Sequence, residues 1–266
     1  MSWTGGSFGT SATCVLAPNA DVMTLDGTNT WVLSSGGRSL VVDPGPEIEA
    51  HLDEVSATGQ DVVSVLLTHH HADHSEAART FAERHRCGVR ALDPAYRLGS
   101  EGLGDGDVVT VGDLEVHVVA TPGHTADSLS FVVPSESAVL TGDTVLGRGT
   151  TVVAHPDGEL GAYLDSLDRL HALCSEQGIT SVWPGHGPVI DDALGALDFY
   201  LAHRRERLGQ VRDALRDLHA IAREGGSFPH EGLPRSIVEI VYADVDPVLW
   251  GAAELSVRAQ LAYLSR

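Results

Sequence analysis

Residues Thr68-His69-His70-His71-Ala72-Asp73-His74 follow directly on the apolar run Asp61-Val62-Val63-Ser64-Val65-Leu66-Leu67. The spacing His-x-His-x-Asp-His gathers imidazoles and a carboxylate in one turn, and those groups hold zinc and its first-row neighbours. The bland alternative is chance clustering in a solvated histidine-rich loop. Three further segments argue against it. Leu114-Glu115-Val116-His117-Val118-Val119-Ala120 leads into Thr121-Pro122-Gly123-His124, Ser137-Ala138-Val139-Leu140 into Thr141-Gly142-Asp143, and Ile179-Thr180-Ser181-Val182-Trp183 into Pro184-Gly185-His186-Gly187. Apolar runs of this length bounded by Gly and Pro fit buried strands. Strands of one sheet that end at the same edge bring their outgoing loops, and donors distant in sequence, into one small volume.

These motifs, in this order, resemble the metallo-β-lactamase superfamily, and the similarity extends from Asn29-Thr30-Trp31 to Gly185-His186-Gly187-Pro188. The resemblance implies a fold of mixed α/β (α+β) class, an αββα sandwich with a metal site at one rim of its two sheets. It implies that His69, His71 and His124 hold one metal, that Asp73, His74 and His186 hold a second, and that Asp143 bridges them. Two zinc ions are the expected cofactors, with iron or manganese able to take similar sites.

Such a pair, about 3.5–4 Å apart, polarises a carbonyl or phosphoryl oxygen and holds a hydroxide ready to attack it. Two divalent ions, less Asp73, Asp143 and a hydroxide, leave roughly one positive charge, suited to an anion or a developing oxyanion. Asp73 is expected to orient the nucleophile. Asp43, in Val41-Val42-Asp43-Pro44-Gly45, is expected to accept the outer N–H of a metal-bound imidazole. The competing reading is an ordinary Asp-Pro-Gly turn. His70, between two ligands, should point away from them. His51, His85, His117, His155, His171, His219 and His230 lack motif context and default to surface or core.

The elements that must position these groups are legible in outline. Helices are expected near Glu47–Thr58, from Ser75 to Arg86 and over Leu160–Gln177, with short strands filling 89–141. Strands followed by helix in each half fit two sheets covered on their outer faces. With 266 residues, 42% hydrophobic and 20% charged, the chain has room for one large domain plus a small appendage. No apolar stretch reaches the ~20 residues of a membrane span, and Met1-Ser2-Trp3-Thr4-Gly5-Gly6-Ser7 lacks the features of a secretory signal, so the cytoplasm is the expected location. Cys14, Cys87 and Cys174 are odd in number and widely spaced, against a disulfide framework. None stands at a ligand position, unlike the cysteine of secreted zinc β-lactamases, which counts against antibiotic hydrolysis. All 17 basic residues are arginine, which excludes Schiff-base lysine chemistry and a P-loop lysine.

Beyond Asp191 the pattern turns helical. Ala196–Ala222 carries Leu197, Leu201, Leu208, Val211, Leu215 and Leu218 at helical spacing, with Arg204, Arg205, Arg207, Arg212 and Arg216 read as its polar face. Gly225-Gly226-Ser227-Phe228-Pro229 should break it, with further helices around Ser236–Tyr242 and Pro247–Leu264. A metallo-β-lactamase domain over 1–203 and a small helical, winged-helix-like subdomain over 204–266 are therefore expected. Leu201-Ala202-His203-Arg204-Arg205-Glu206-Arg207, Thr24-Leu25-Asp26-Gly27-Thr28-Asn29-Thr30 and Gly147-Arg148-Gly149-Thr150-Thr151 resemble the beta-lactamase-like protein two branch, whose members act on single-stranded RNA or on carrier-bound thioesters.

Fold alone does not choose between those reactions. The net charge of −20 works against polyanion binding, which comes largely from basic residues. The chain stops at Leu264-Ser265-Arg266, where the wing strands of a full module would begin, and this too weighs against RNA. The leading expectation is a dinuclear zinc hydrolase that uses a metal-bridging hydroxide on a thioester or ester of a small anionic substrate. Metal-dependent cleavage of single-stranded RNA is the alternative. His203 is the candidate proton donor for an alkoxide leaving group, Arg204 the candidate anion contact, and Met23, Thr28, Asn29 and Thr150 the candidate pocket residues. The sequence does not specify an oligomeric state.

Overall fold

The computed structural model describes residues 2–223 and 232–266. Among these residues, eleven strands form two sheets. The first contains β1 (Gly6–Phe8), β2 (Ala12–Leu16), β3 (Asn29–Ser35), β4 (Arg38–Val42), β5 (Asp61–Leu66) and β6 (Gly88–Arg90), ordered as in sequence. Its first pairings are antiparallel, and β4–β5–β6 run parallel. The second contains β7 (Val108–Val111), β8 (Leu114–Ala120), β9 (Leu129–Val133), β10 (Ala138–Gly142) and β11 (Ser181–Pro184) in the order β11–β10–β9–β8–β7. Only its β10–β11 pairing is parallel.

The central strands read as unbroken apolar runs because both of their faces are covered. Alternate residues feed different cores. Trp31, Leu33, Leu40, Val42 and Leu66 face Val118, Phe131, Leu140 and Trp183 between the sheets. There Trp31 stacks on Trp183 at 5.0 Å between centroids and 10° between planes, and its Nε1 donates to the Pro184 carbonyl. The intervening Val32, Val41 and Val65 point outward to α1 (Glu49–Thr58) and, beyond the short α2 (Ala72–Ser75), to α3 (Ala78–His85). On the far side Val132, Val139 and Val182 meet α4 (Leu160–Gln177) and the start of α5 (Ala193–Arg223). This is the expected αββα layering.

The helix expected over Ser75–Arg86 is α3, which starts three residues later at Ala78, and a single turn, α2, precedes it and carries Asp73 and His74. α3 closes on Arg86 in the left-handed region, φ 56°. α5 runs unbroken through residue 204, so the expected boundary at 203/204 falls inside a helix whose first half belongs to the sandwich. Its second half packs Val211 and Ala214 on Ile237, Val238 and Val241 of α6 (Leu233–Val241) and on Ala253 and Val257 of α7 (Trp250–Leu264). A 3-10 turn, Pro247–Leu249, precedes α7. The expected break at Gly225–Pro229 lies outside the described residues, as does His230. No described helix is long and apolar enough to cross a membrane.

Candidate metal centre

The loops leaving β4, β5, β8, β10 and β11 meet at one rim, with the β3 start beside them. Asn29 ties the two sheets together there: its Nδ2 donates to the carbonyls of Pro184 and Gly187 at 2.9 and 2.8 Å. Gly185 leaves room for the site, since a Cβ on it would stand 2.6 Å from Asp143 Oδ1 and 2.7 Å from His74 Cε1.

Two groups of donor atoms converge. His69 Nε2 and His124 Nε2 lie 3.1 and 3.0 Å from His71 Nδ1, with Asp143 alongside. Asp73 Oδ2, His74 Nε2 and His186 Nε2 form the second group, with 3.1 Å between Asp73 and His186 and 3.2 Å between the two imidazoles. Asp143 stands between the groups, 3.3 Å from His74 Nε2 through Oδ1 and 3.7 Å from His124 Nε2 through Oδ2. A tetrahedral ion with Zn–N bonds of 2.0–2.1 Å spaces its ligands about 3.3 Å apart. The observed spacings are close to that.

The outer nitrogens settle what the inner ones do. His74 Nδ1 donates to Asp43 Oδ2 at 2.8 Å, His124 Nδ1 to the Val152 carbonyl at 2.8 Å, and His186 Nδ1 to the Gly27 carbonyl at 3.1 Å. The Thr68 hydroxyl donates to Asp43 Oδ2 at 2.6 Å and therefore accepts from His69 Nδ1 at 2.9 Å. With Nδ1 as the donor, each of these rings turns Nε2 inward as the nitrogen that can ligate. Where those nitrogens are unprotonated their lone pairs face one another and repel, and a cation between them resolves the conflict. Asp143 Oδ1 likewise is buried without a hydrogen-bond partner. The donor set fits divalent metals.

The electrostatics divide the two groups. Burial, reinforced by neighbouring imidazoles, holds His69 well below the usual histidine range and His71 at about 4. Burial also lowers His124. Burial opposes charge on His74 too, but the carboxylates of Asp143 and Asp43 override it and raise that ring well above 6.5. His186 is likewise raised to about 9 against its burial, by Asp143 and Asp73. Asp143 is held well below the carboxylate range despite burial, through His186 and His74. In the metal-free protein the surroundings thus favour neutral, ligating imidazoles at His69, His71 and His124, and favour a proton on His74 and His186 that a metal must displace.

The remaining expected residues are distributed unevenly. Asp43 lies 2% exposed, at φ 50°, accepting from Thr68 N as well as Thr68 Oγ1 and His74. His70 turns away from the ligands and meets Asp127 at 2.8 Å. Met23, Thr150, His203 and Arg204 line a cavity of about 320 Å³ that opens beside His124 and Asp143. Thr28 and Asn29 do not. Thr28 is buried in contact with Asn19, and the Asn29 side chain is engaged by the carbonyls that join the sheets. Arg204 is not part of the solvent-facing row of α5: it is 5% exposed, over the Tyr163 ring at 4.9 Å, with Nη2 donating to the Thr151 carbonyl. Sequence reasoning missed the far wall of the cavity, built by Tyr242, Val245, Leu249, Ala252, Ala253 and Ser256. Small and apolar helix residues carry no signal for such a role.

Comparison with known proteins identifies relatives of the chain. The family model for the metallo-beta-lactamase superfamily matches residues 23–173, and that for the beta-lactamase associated winged helix domain matches 234–266. A lactamase-like protein adaB of Aspergillus niger is 32% identical, over 90% of this chain and 79% of its own length. An Aspergillus chevalieri protein named atrochrysone carboxyl ACP thioesterase is 31% identical, over 87% and 74%. A beta-lactamase domain protein from Burkholderia ambifaria has the same fold, with a TM-score of 0.76 at 22% identity over 98% of this chain and 88% of that one. The chain belongs to the metallo-beta-lactamase superfamily. It is a metal-dependent hydrolase.

Proposed function

We propose that the protein is a dinuclear zinc hydrolase of thioesters or esters of small anionic substrates. Residues 1–203 would carry the chemistry and residues 204–266 enclose the substrate. The observation that carries the reading is the pair of donor groups sharing Asp143 at the mouth of a largely apolar cavity. His69, His71 and His124 would hold one cation and Asp73, His74 and His186 the other, with Asp143 between them. Cations held there supply Lewis acidity and water activated at neutral pH.

The chain's own groups do the rest. Asp43, Val152, Gly27 and Thr68 hold the imidazoles in the ligating tautomer. Asp73, 29% exposed, is the carboxylate open enough to orient a nucleophile. A thiolate leaves without a proton, so a thioester requires no acid. For an alkoxide, His203 on the cavity wall can donate, although burial and the nearby Arg204 lower its pKa. Relatedness to a protein named as a thioesterase supports the thioester reading. The excess of acidic residues weighs against RNA.

The test is metal analysis of the purified protein with a panel of thioesters, esters and short single-stranded RNA, and Asp73→Ala as control. Thioester or ester turnover that the control loses is expected. Cleavage of RNA alone would overturn the reading.

A further inference from the structure

Three arginines line the cavity: Arg148, Arg204 and Arg207. Arg148 pairs with Asp26 on the rim. Arg207 lies 3.9 Å from Asp244, donates to the Val241 carbonyl at 2.7 Å and covers the Tyr242 ring. Arg204 differs. It is the most buried of the chain's arginines among the described residues, yet no carboxylate there pairs with it. Its Nη2 has one neutral carbonyl partner, Thr151, and its Nε is buried with none.

A buried charge is costly unless it is paired. The Tyr163 ring offsets part of that cost. Holding one carbonyl in place does not require a guanidinium, because a neutral donor of the same reach would serve. The cation is left without an anion on a wall shared with His124 and Asp143, while the opposite wall, from Leu249 to Ala253, is apolar. At roughly 30 Å³ per water-sized group, the volume accommodates ~10 non-hydrogen atoms.

We infer that Arg204 anchors a carboxylate carried on a compact, otherwise apolar moiety of the substrate, which lies between α5 and α7. This deepens the proposed function and rests on its reading of the cavity as the substrate site. Arg204 is then a specificity-determining residue. It also steadies the 151–152 segment, whose Thr151 hydroxyl lies 3.1 Å from His124 Nδ1.

The experiment measures calorimetric binding of octanoate and of octan-1-ol, which differ in charge and little in length, to the full-length metal-loaded protein. Octanoate is expected to bind about tenfold or more tighter, the scale of a charge-assisted hydrogen bond. Arg204→Gln should bring the ratio near one, and Arg204→Lys should keep most of it. A purely structural role would weaken both ligands together and leave the ratio unchanged. Equal affinities in the unaltered protein, or a ratio that survives Arg204→Gln, overturns the inference.

Should Arg204→Gln fail to fold, a crystal structure of the octanoate complex decides. A carboxylate on the Arg204 guanidinium supports the inference, and one placed elsewhere refutes it. Binding is read without turnover, so failure of the hydrolase reading, seen as no cleavage of any thioester or ester, is a separate result.

Discussion

Replacing Asp43 with asparagine changes one atom and should disable half of the metal centre. Asp43 Oδ1 accepts from Thr68 N at 2.8 Å, and an amide oxygen can keep that bond. Oδ2 accepts from both the Thr68 hydroxyl and His74 Nδ1. An amide NH2 in its place faces the imidazole with a donor where an acceptor stood. His74 must then carry its proton on Nε2, the nitrogen aimed at Asp143 and His186. The lost bond is charge-assisted and buried, worth ~1.5–3 kcal/mol. That is roughly a 10–100-fold loss of metal affinity, the scale seen when such supporting carboxylates are removed. The effect should be largest on the second group, which loses the bond between His74 and Asp43 directly, and smaller on the first, which Asp43 reaches only through the Thr68 hydroxyl on His69. Competition against a chromophoric chelator should resolve two zinc-binding steps, with one displaced further than the other in Asp43→Asn. Two unchanged steps would refute the tautomer argument.

Gly185→Ala should lose metal as well, since its Cβ would overlap Asp143 and His74; overpacking of this kind costs about 1–3 kcal/mol, and full metal content with an unshifted melting midpoint would contradict it. Tyr200→Phe should destabilise the fold by about 1–3 kcal/mol by leaving the buried Leu146 N–H, now 2.8 Å from the phenol oxygen, without an acceptor, while zinc per chain stays the same; thermal unfolding and metal analysis check both parts. The metal-free protein should lose stability as pH rises from about 6.5 to about 9. His186, raised to about 9, and His74, raised well above 6.5, contribute stability that is fully present below the unfolded pKa and is lost through the folded one. Melting of chelated protein across that interval tests the sign, and a midpoint that climbs with pH would be the contrary result.

The rim was legible in the sequence because each donor follows a strand that period and punctuation mark plainly. Val62, Val65 and Leu66 before His69, or Val139 and Leu140 before Asp143, need no structure to be read as buried. What remained hidden has physical reasons. The carbonyls of Val152 and Gly27 that orient His124 and His186 belong to the backbone, which every residue carries. The turn α2 ahead of α3 is only four residues long, too short for a helical period to mark it. Helical spacing puts Arg204 on the polar face, because spacing tells faces apart only when one of them meets water. At that turn α5 is covered on one side by α4 and on another by the 149–152 loop, so a charged residue is enclosed without any change in the pattern. The cavity joins five separated stretches of chain, and no window of sequence contains it.

The continuity of α5 has a mechanical corollary. His203 and Arg204 sit on the same 31-residue rod that carries α6 and α7 at its far end. One residue inserted midway along that rod would swing everything beyond it by about 100° and advance it 1.5 Å. Tyr242 and Leu249 would be swept off the cavity while every imidazole at the rim kept its place. One wall of the cavity thus rides on the outer half of α5, whereas the metal donors, His203 and Arg204 lie before it.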